Sequence, residues 1–74
     1  MENIAIKTEF IKLDQLLKFS GVAESGLAAK ELILEGCVFV NRELCYMRGK
    51  KLRPGDQIMV NFNGDKIEIM VNKE

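Results

Sequence analysis

The sequence predicts an α+β domain in which two short helices pack on a small, mostly antiparallel sheet. Three observations predict it. Apolar residues recur at helical spacing twice in the first half, at Leu13, Leu16 and Leu17 and again at Ala28, Ala29, Leu32 and Ile33. From Cys37 onward the apolar period drops to two. Turn signals at Asn41-Arg42, Pro54-Gly55 and Asn63-Gly64 then cut that half into short strands. No repeat, linker or low-complexity segment divides the 74 residues, so helices and strands belong to one unit, residues 1–74.

Taken in order, "IAIK" at residues 4–7 is apolar-rich and β-like, an edge strand before a loop around Thr8 and Glu9. "KLDQLLKFSG" predicts the first helix, opening at Lys12, with Asp14 in the first turn where a carboxylate favours the helix dipole, and closing at Ser20-Gly21. Ser25 is a good N-cap for the second helix, and Gly36 supplies a left-handed C-terminal cap. On that helix Lys30 lies away from the apolar stripe and is expected to be exposed, while Leu27 and Leu34 project from the opposite face.

"CVFV" and "ELCY" read as a hairpin about a two-residue turn, although Arg42 stands where a type I′ turn prefers glycine. In that register Val38 faces Cys45, the two cysteines point to opposite faces, and a disulfide between them is disfavoured. "RPGD" places Pro54 and Gly55 at the centre of a type II turn. A C-terminal hairpin over residues 57–71 follows around Asn63-Gly64-Asp65, with Ile58, Val60 and Phe62 on one face and Ile67, Ile69 and Val71 on one face of the return strand.

Composition narrows the function. With 47% apolar and 30% charged residues the chain is too hydrophobic for general disorder. The absence of histidine removes the commonest general base near neutral pH, and leaves Cys37 and Cys45 without partners for a typical zinc site. No catalysis, metal, cofactor or small-molecule substrate is therefore expected. "GVAESG" has neither dinucleotide-binding nor P-loop spacing. Asp14 and Asp56 are read as helix-start and turn-closing residues rather than a catalytic pair. "MENIAIKTEF" lacks the basic start and apolar run of a signal peptide, and no stretch is apolar enough to cross a bilayer, so a cytoplasmic protein without a membrane partner is expected.

Charge is segregated although the totals cancel. Between Arg42 and Arg53 there are five cations, Arg42, Arg48, Lys50, Lys51 and Arg53, and one anion, Glu43. That local excess of +4 leaves −4 for the remainder of a chain with eleven basic and eleven acidic residues. Such a segment can bind phosphates by charge-assisted hydrogen bonds and counterion release.

The order "KLDQLLKFSGVAESGLAAKELILEGCVFVN" followed by "LRPGDQI" resembles the S-four RNA-binding domain family, named after ribosomal small-subunit protein four, over a motif core of residues 11–60. The matching positions are Lys12-Leu13-Asp14, Ser25, Ala29, Leu32-Ile33, Gly36, Val38-Phe39-Val40-Asn41 and Gly55-Asp56. "SG" at Ser25-Gly26 together with "RGKKLRPGD" is most similar to small stand-alone members of the YaaA/YbcJ type. Two positions depart from the family pattern. Gly26 stands where Arg often follows the helix-two Ser, and Arg42 replaces the Gly of "VNG".

The resemblance implies the αL RNA-binding motif, with the helix pair and the adjacent hairpin loop facing RNA. The expected RNA-binding residues are Lys12, Lys18, Ser25, Lys30, Arg42, Arg48, Lys50, Lys51 and Arg53, with Tyr46 the one aromatic placed to stack. The implied function is non-catalytic binding of structured RNA, with ribosomal RNA or a ribosome-assembly intermediate as partner. The rival is a protein-interaction adaptor that uses the Leu27/Leu34 face and docks an acidic partner on the basic loop.

Overall fold

The leucine and alanine spacings produce the two helices of the computed structural model, which describes residues 1–74. α1 spans Leu13–Phe19 and buries Leu13, Leu16 and Leu17. It ends at Ser20, and Gly21 takes the left-handed conformation at φ 84° that lets the chain leave the helix. α2 spans Gly26–Leu34 behind Ser25, whose hydroxyl accepts the Ala28 N–H at 3.1 Å, so the expected N-cap forms. Ala29 and Ile33 are fully buried, and Ala28 and Leu32 are half-buried at the edge of the stripe. Lys30 is half-buried rather than exposed. It lies ~60° around the helix from Ile33, so its stem flanks the core stripe and only its end is free to reach water.

The main sheet has five strands in the order β1-β7-β6-β3-β4, formed by β1 (Glu2–Ile6), β3 (Val38–Val40), β4 (Glu43–Leu44), β6 (Gln57–Phe62) and β7 (Asp65–Lys73). Every neighbouring pair is antiparallel except β1–β7. The register sets Val38 opposite Val60, Val40 opposite Ile58, Ile58 opposite Ile69 and Val60 opposite Ile67. Over these positions one face is therefore aliphatic, as the period-two pattern predicts, and it joins Leu13, Leu16, Leu17, Ala29 and Ile33 in one core.

The structure corrects several boundaries. The N-terminal strand is Glu2–Ile6 rather than 4–7, and it lies parallel to β7. β7 runs on to Lys73, two residues past Val71, because β1 as well as β6 supplies it with hydrogen-bonding partners. Asp65 opens β7 opposite Phe62 instead of lying in the turn. The turn is therefore Asn63-Gly64 alone, both at positive φ (53° and 82°), as type I′ geometry requires.

A second, two-stranded sheet was not expected at all. β2 (Ile11–Lys12) pairs antiparallel with β5 (Lys51–Leu52), setting Ile11 opposite Leu52 and Lys12 opposite Lys51. Lys12 thus ends a strand and serves as N-cap of α1 rather than opening the helix, and its side chain makes no capping bond. Two-residue strands leave almost no periodicity to read in a sequence.

Candidate nucleic-acid interface

The first N–H groups of any helix lack partners inside it, and lysine cannot accept from them. In α1 the basic segment supplies acceptors instead. The Leu13 N–H donates to the Lys50 carbonyl at 2.9 Å, and the Asp14 N–H donates to the Arg48 carbonyl at 3.0 Å. A turn closed by the Lys50 N–H on the Met47 carbonyl, at 3.1 Å, holds the segment in place. What reads in sequence as a free basic loop is backbone-bonded to the helix start.

The β2–β5 ribbon orders the next cations. Strand alternation turns Ile11 and Leu52 inward, Leu52 being fully buried, and leaves Lys12 and Lys51 exposed. Phe10 and Arg53 continue the strands by one residue and share that outer face. The Lys51 ammonium lies 4.8 Å from the centre of the Phe10 ring and the Arg53 guanidinium carbon 6.0 Å from it, both within cation–π range.

Like charges directly opposite across a strand pair are destabilising, and here Lys12 faces Lys51. No carboxylate relieves them. The ion pairs of the molecule are Lys7–Glu74 at 3.6 Å and Arg48–Asp14 at 3.9 Å, so Lys12, Lys18, Lys50, Lys51 and Arg53 have none within 4.0 Å.

Asp56, three residues after Arg53, is committed to backbone and amide donors. Its carboxylate accepts the Arg53 N–H at 2.8 Å on one oxygen and the Asn41 amide at 3.0 Å on the other. Asn41 in turn accepts the Gln57 N–H at 2.9 Å and donates its own N–H to the Gln57 carbonyl at 2.7 Å. This network ties the β3–β4 turn to the "RPGD" turn, where Gly55 at φ 100° and the Asp56 N–H on the Arg53 carbonyl (3.0 Å) confirm the expected type II geometry. Between the two turns and the basic segment lies a groove of about 560 Å³, whose lining includes Lys50, Lys51, Arg53, Glu43 and Tyr46.

The structure gathers Lys12, Arg48, Lys50, Lys51 and Arg53 around α1's start and the ribbon. Lys18 lies on the same side of α1 as Asp14, one turn along, the side from which Arg48 approaches. Three expected residues stand on other elements. Ser25 and Lys30 belong to α2, and the Ser25 hydroxyl is engaged in its cap. Arg42 sits in the β3–β4 turn at φ 71°, on a separate hollow with Met1, Met59 and Glu68. Tyr46 borders the cationic groove and is 56% exposed, but it is not the only aromatic available. Phe10, just past the loop read around Thr8 and Glu9, was missed because only its alignment with Lys51 and Arg53 across two strands gives it a role.

A family profile described as the S4 domain matches residues 4–70. The chain is 44% identical over 61 residues to the Bacillus subtilis (strain 168) protein named "Probable ribosome maturation protein RlbA", covering 82% of this chain and 86% of that one. Among solved structures, trimeric Vibrio cholerae Heat Shock Protein 15 has a TM-score of 0.76 at 23% identity, over 89% of this chain and 66% of that chain. The second likeness is one of fold, and this chain spans just under two thirds of that protein. No helix of the structure is long and apolar enough to cross a membrane.

Proposed function

The chain belongs to the S4 domain family, and from that premise we propose that it is a non-catalytic cytoplasmic module that grips structured RNA, either ribosomal RNA or a ribosome-assembly intermediate. The observation that carries this reading is the Lys12–Lys51 pairing. Two lysines are held side by side on a short ribbon, with Lys50 and Arg53 adjacent and no carboxylate neutralising any of them. A phosphate backbone supplies the missing anions, and binding there releases counterions. The ribosomal part of the reading is supported by the maturation role in the Bacillus relative's name.

In this reading Lys12, Lys18, Arg48, Lys50, Lys51 and Arg53 contact phosphates and position the domain. Phe10 steadies Lys51 and Arg53 over its ring. Arg42, Ser25 and Lys30 are outer contacts, reached only by an RNA that extends past the groove. Recognition is then by shape and backbone more than by base sequence.

Affinity for a structured ribosomal RNA fragment, followed by fluorescence anisotropy across a salt series, tests this. About four to six phosphate contacts give a log–log salt slope on the order of −3 to −5. Lys50→Ala with Lys51→Ala is expected to flatten the slope by about 2 and weaken binding. Salt-independent affinity, or full binding by the double variant, contradicts the assignment.

The adaptor reading retains one observation, the 65% and 58% exposure of Leu27 and Leu34 on α2. Partners that survive ribonuclease treatment of a pull-down favour it, and partners lost on digestion favour RNA.

A further inference from the structure

Another hollow lies at the far end of the sheet. β6 begins at Gln57, next to Asp56 on the cationic groove, and ends at Phe62, about 17 Å away at ~3.3 Å per residue. There Val60, Phe62 and Ile67 face Ala28 and Leu32 of α2 across a groove of about 360 Å³. This groove shares no residue with the cationic one.

Its charges have one sign. Glu24, Glu31, Glu35 and Asp65 line it, no lysine or arginine does, and none of the four has an ion-pair partner. Their placement is unfavourable in the free chain. Glu31 and Glu35 are four residues apart, where like charges repel along a helix. Glu35 is also the C-cap of α2, at the negative end of its dipole, and the last turn holds no basic residue to offset it. An apolar floor thus lies under a negative rim that nothing in the chain neutralises.

We propose that this groove docks a basic amphipathic segment of a partner protein. Aliphatic side chains of the segment enter between α2 and the β6–β7 hairpin, and its lysines or arginines meet the four carboxylates. Charge complementarity selects this occupant, because RNA phosphates are repelled by the same rim and a neutral apolar segment leaves it unpaired. Proteins that assemble on RNA carry Lys/Arg-rich segments for the reason given above. A chain with one cationic and one anionic site at opposite ends of a strand can hold an RNA and a basic neighbour together. The groove's chemistry stands independently of what the cationic face binds.

The test is amide NMR of the ¹⁵N-labelled full chain with three probes at physiological salt. These are a synthetic helical peptide with Leu and Lys at i, i+4 spacing, the same peptide with Ser for every Leu, and spermidine. Only the Leu/Lys peptide is expected to bind saturably and shift Ala28, Leu32, Phe62 and Ile67. Glu31→Gln with Glu35→Gln is expected to weaken it about tenfold, with the spectrum of the free chain still dispersed and affinity for the RNA fragment not reduced. Phe62→Ser, at a 45% exposed position, is expected to weaken it as well. Equal binding by the Ser peptide or spermidine overturns the proposal in favour of charge alone. Shifts scattered over the surface overturn it too, as do groove shifts that follow protein concentration without any peptide, which would identify a second copy as the occupant.

Discussion

Arg42 holds a backbone conformation that suits glycine. At φ 71°, after Asn41 at φ 49°, it completes a type I′ turn that favours glycine at its position. The left-handed region costs an ordinary side chain about 1–2 kcal/mol, and glycine's greater unfolded-state freedom returns about half of that. Arg42→Gly is accordingly expected to stabilise the fold by ~0.5–1 kcal/mol, visible as a melting temperature a few degrees higher. Because Arg42 shares its hollow with Glu68 rather than with Lys50 and Lys51, the RNA salt slope should change by less than one contact. A lower melting temperature contradicts the strain argument, and a slope flattened by a full contact or more contradicts the placement. Asn41 behaves in the opposite way. Asn41→Ala leaves the Gln57 N–H and the Asp56 carboxylate each short of a partner, and a loss of about 1–2 kcal/mol is expected in denaturant unfolding. Both residues were legible as turn formers, since Asn and a hairpin register are local signals. That Asn41 reaches Asp56 and Gln57 fifteen and sixteen positions away was not.

Under the proposed function the β2–β5 ribbon sets stability against binding. Lys12 and Lys51 repel in the free protein, and in that reading an RNA phosphate would relieve the repulsion. Lys12→Glu converts the like-charge pair into an attractive one and is expected to raise stability by ~0.2–1 kcal/mol. RNA affinity should fall in the same variant. Paired thermal and anisotropy measurements check both signs, and a variant that loses both stability and affinity would show that Lys12 is needed for the fold instead. α2 provides a comparison without this conflict. Ser25→Ala removes its cap at a cost of about 1 kcal/mol, and any effect on RNA binding should be small because the hydroxyl already serves the Ala28 N–H. The helices were legible because their stripes and caps fall within twelve residues or fewer. The ribbon was not, because its two strands lie forty positions apart and hold two residues each.

Across the whole molecule, β1 is the element that closes one side. It covers the edge of β7 along five residues, Glu2 to Ile6, and buries Ile6 in the core. Removing residues 1–6 leaves the nine-residue β7 as an open edge, a ready template for pairing with another chain. The shortened chain is expected to melt lower and to associate at micromolar concentration by light scattering. A monomer of unchanged melting temperature would show that β1 merely decorates the sheet. The charge pattern also belongs to this scale. A chain of zero net charge presents five unpaired cations around α1 and the ribbon, and four unpaired carboxylates around the hollow beside Phe62.

From its residues alone this protein's helices, main hairpins, turn types and core faces could be derived, because periodicity, caps and φ preferences act over a few positions of chain. The excess of cations between Arg42 and Arg53 was equally plain. Tertiary structure decided which cations stand together, that Phe10 lies beneath two of them, and that Arg42 faces another hollow. It also gathered Glu24, Glu31, Glu35 and Asp65 around one groove. Those relations arise from pairings between segments distant in sequence, made when a shared core is buried, and no local pattern encodes the partner.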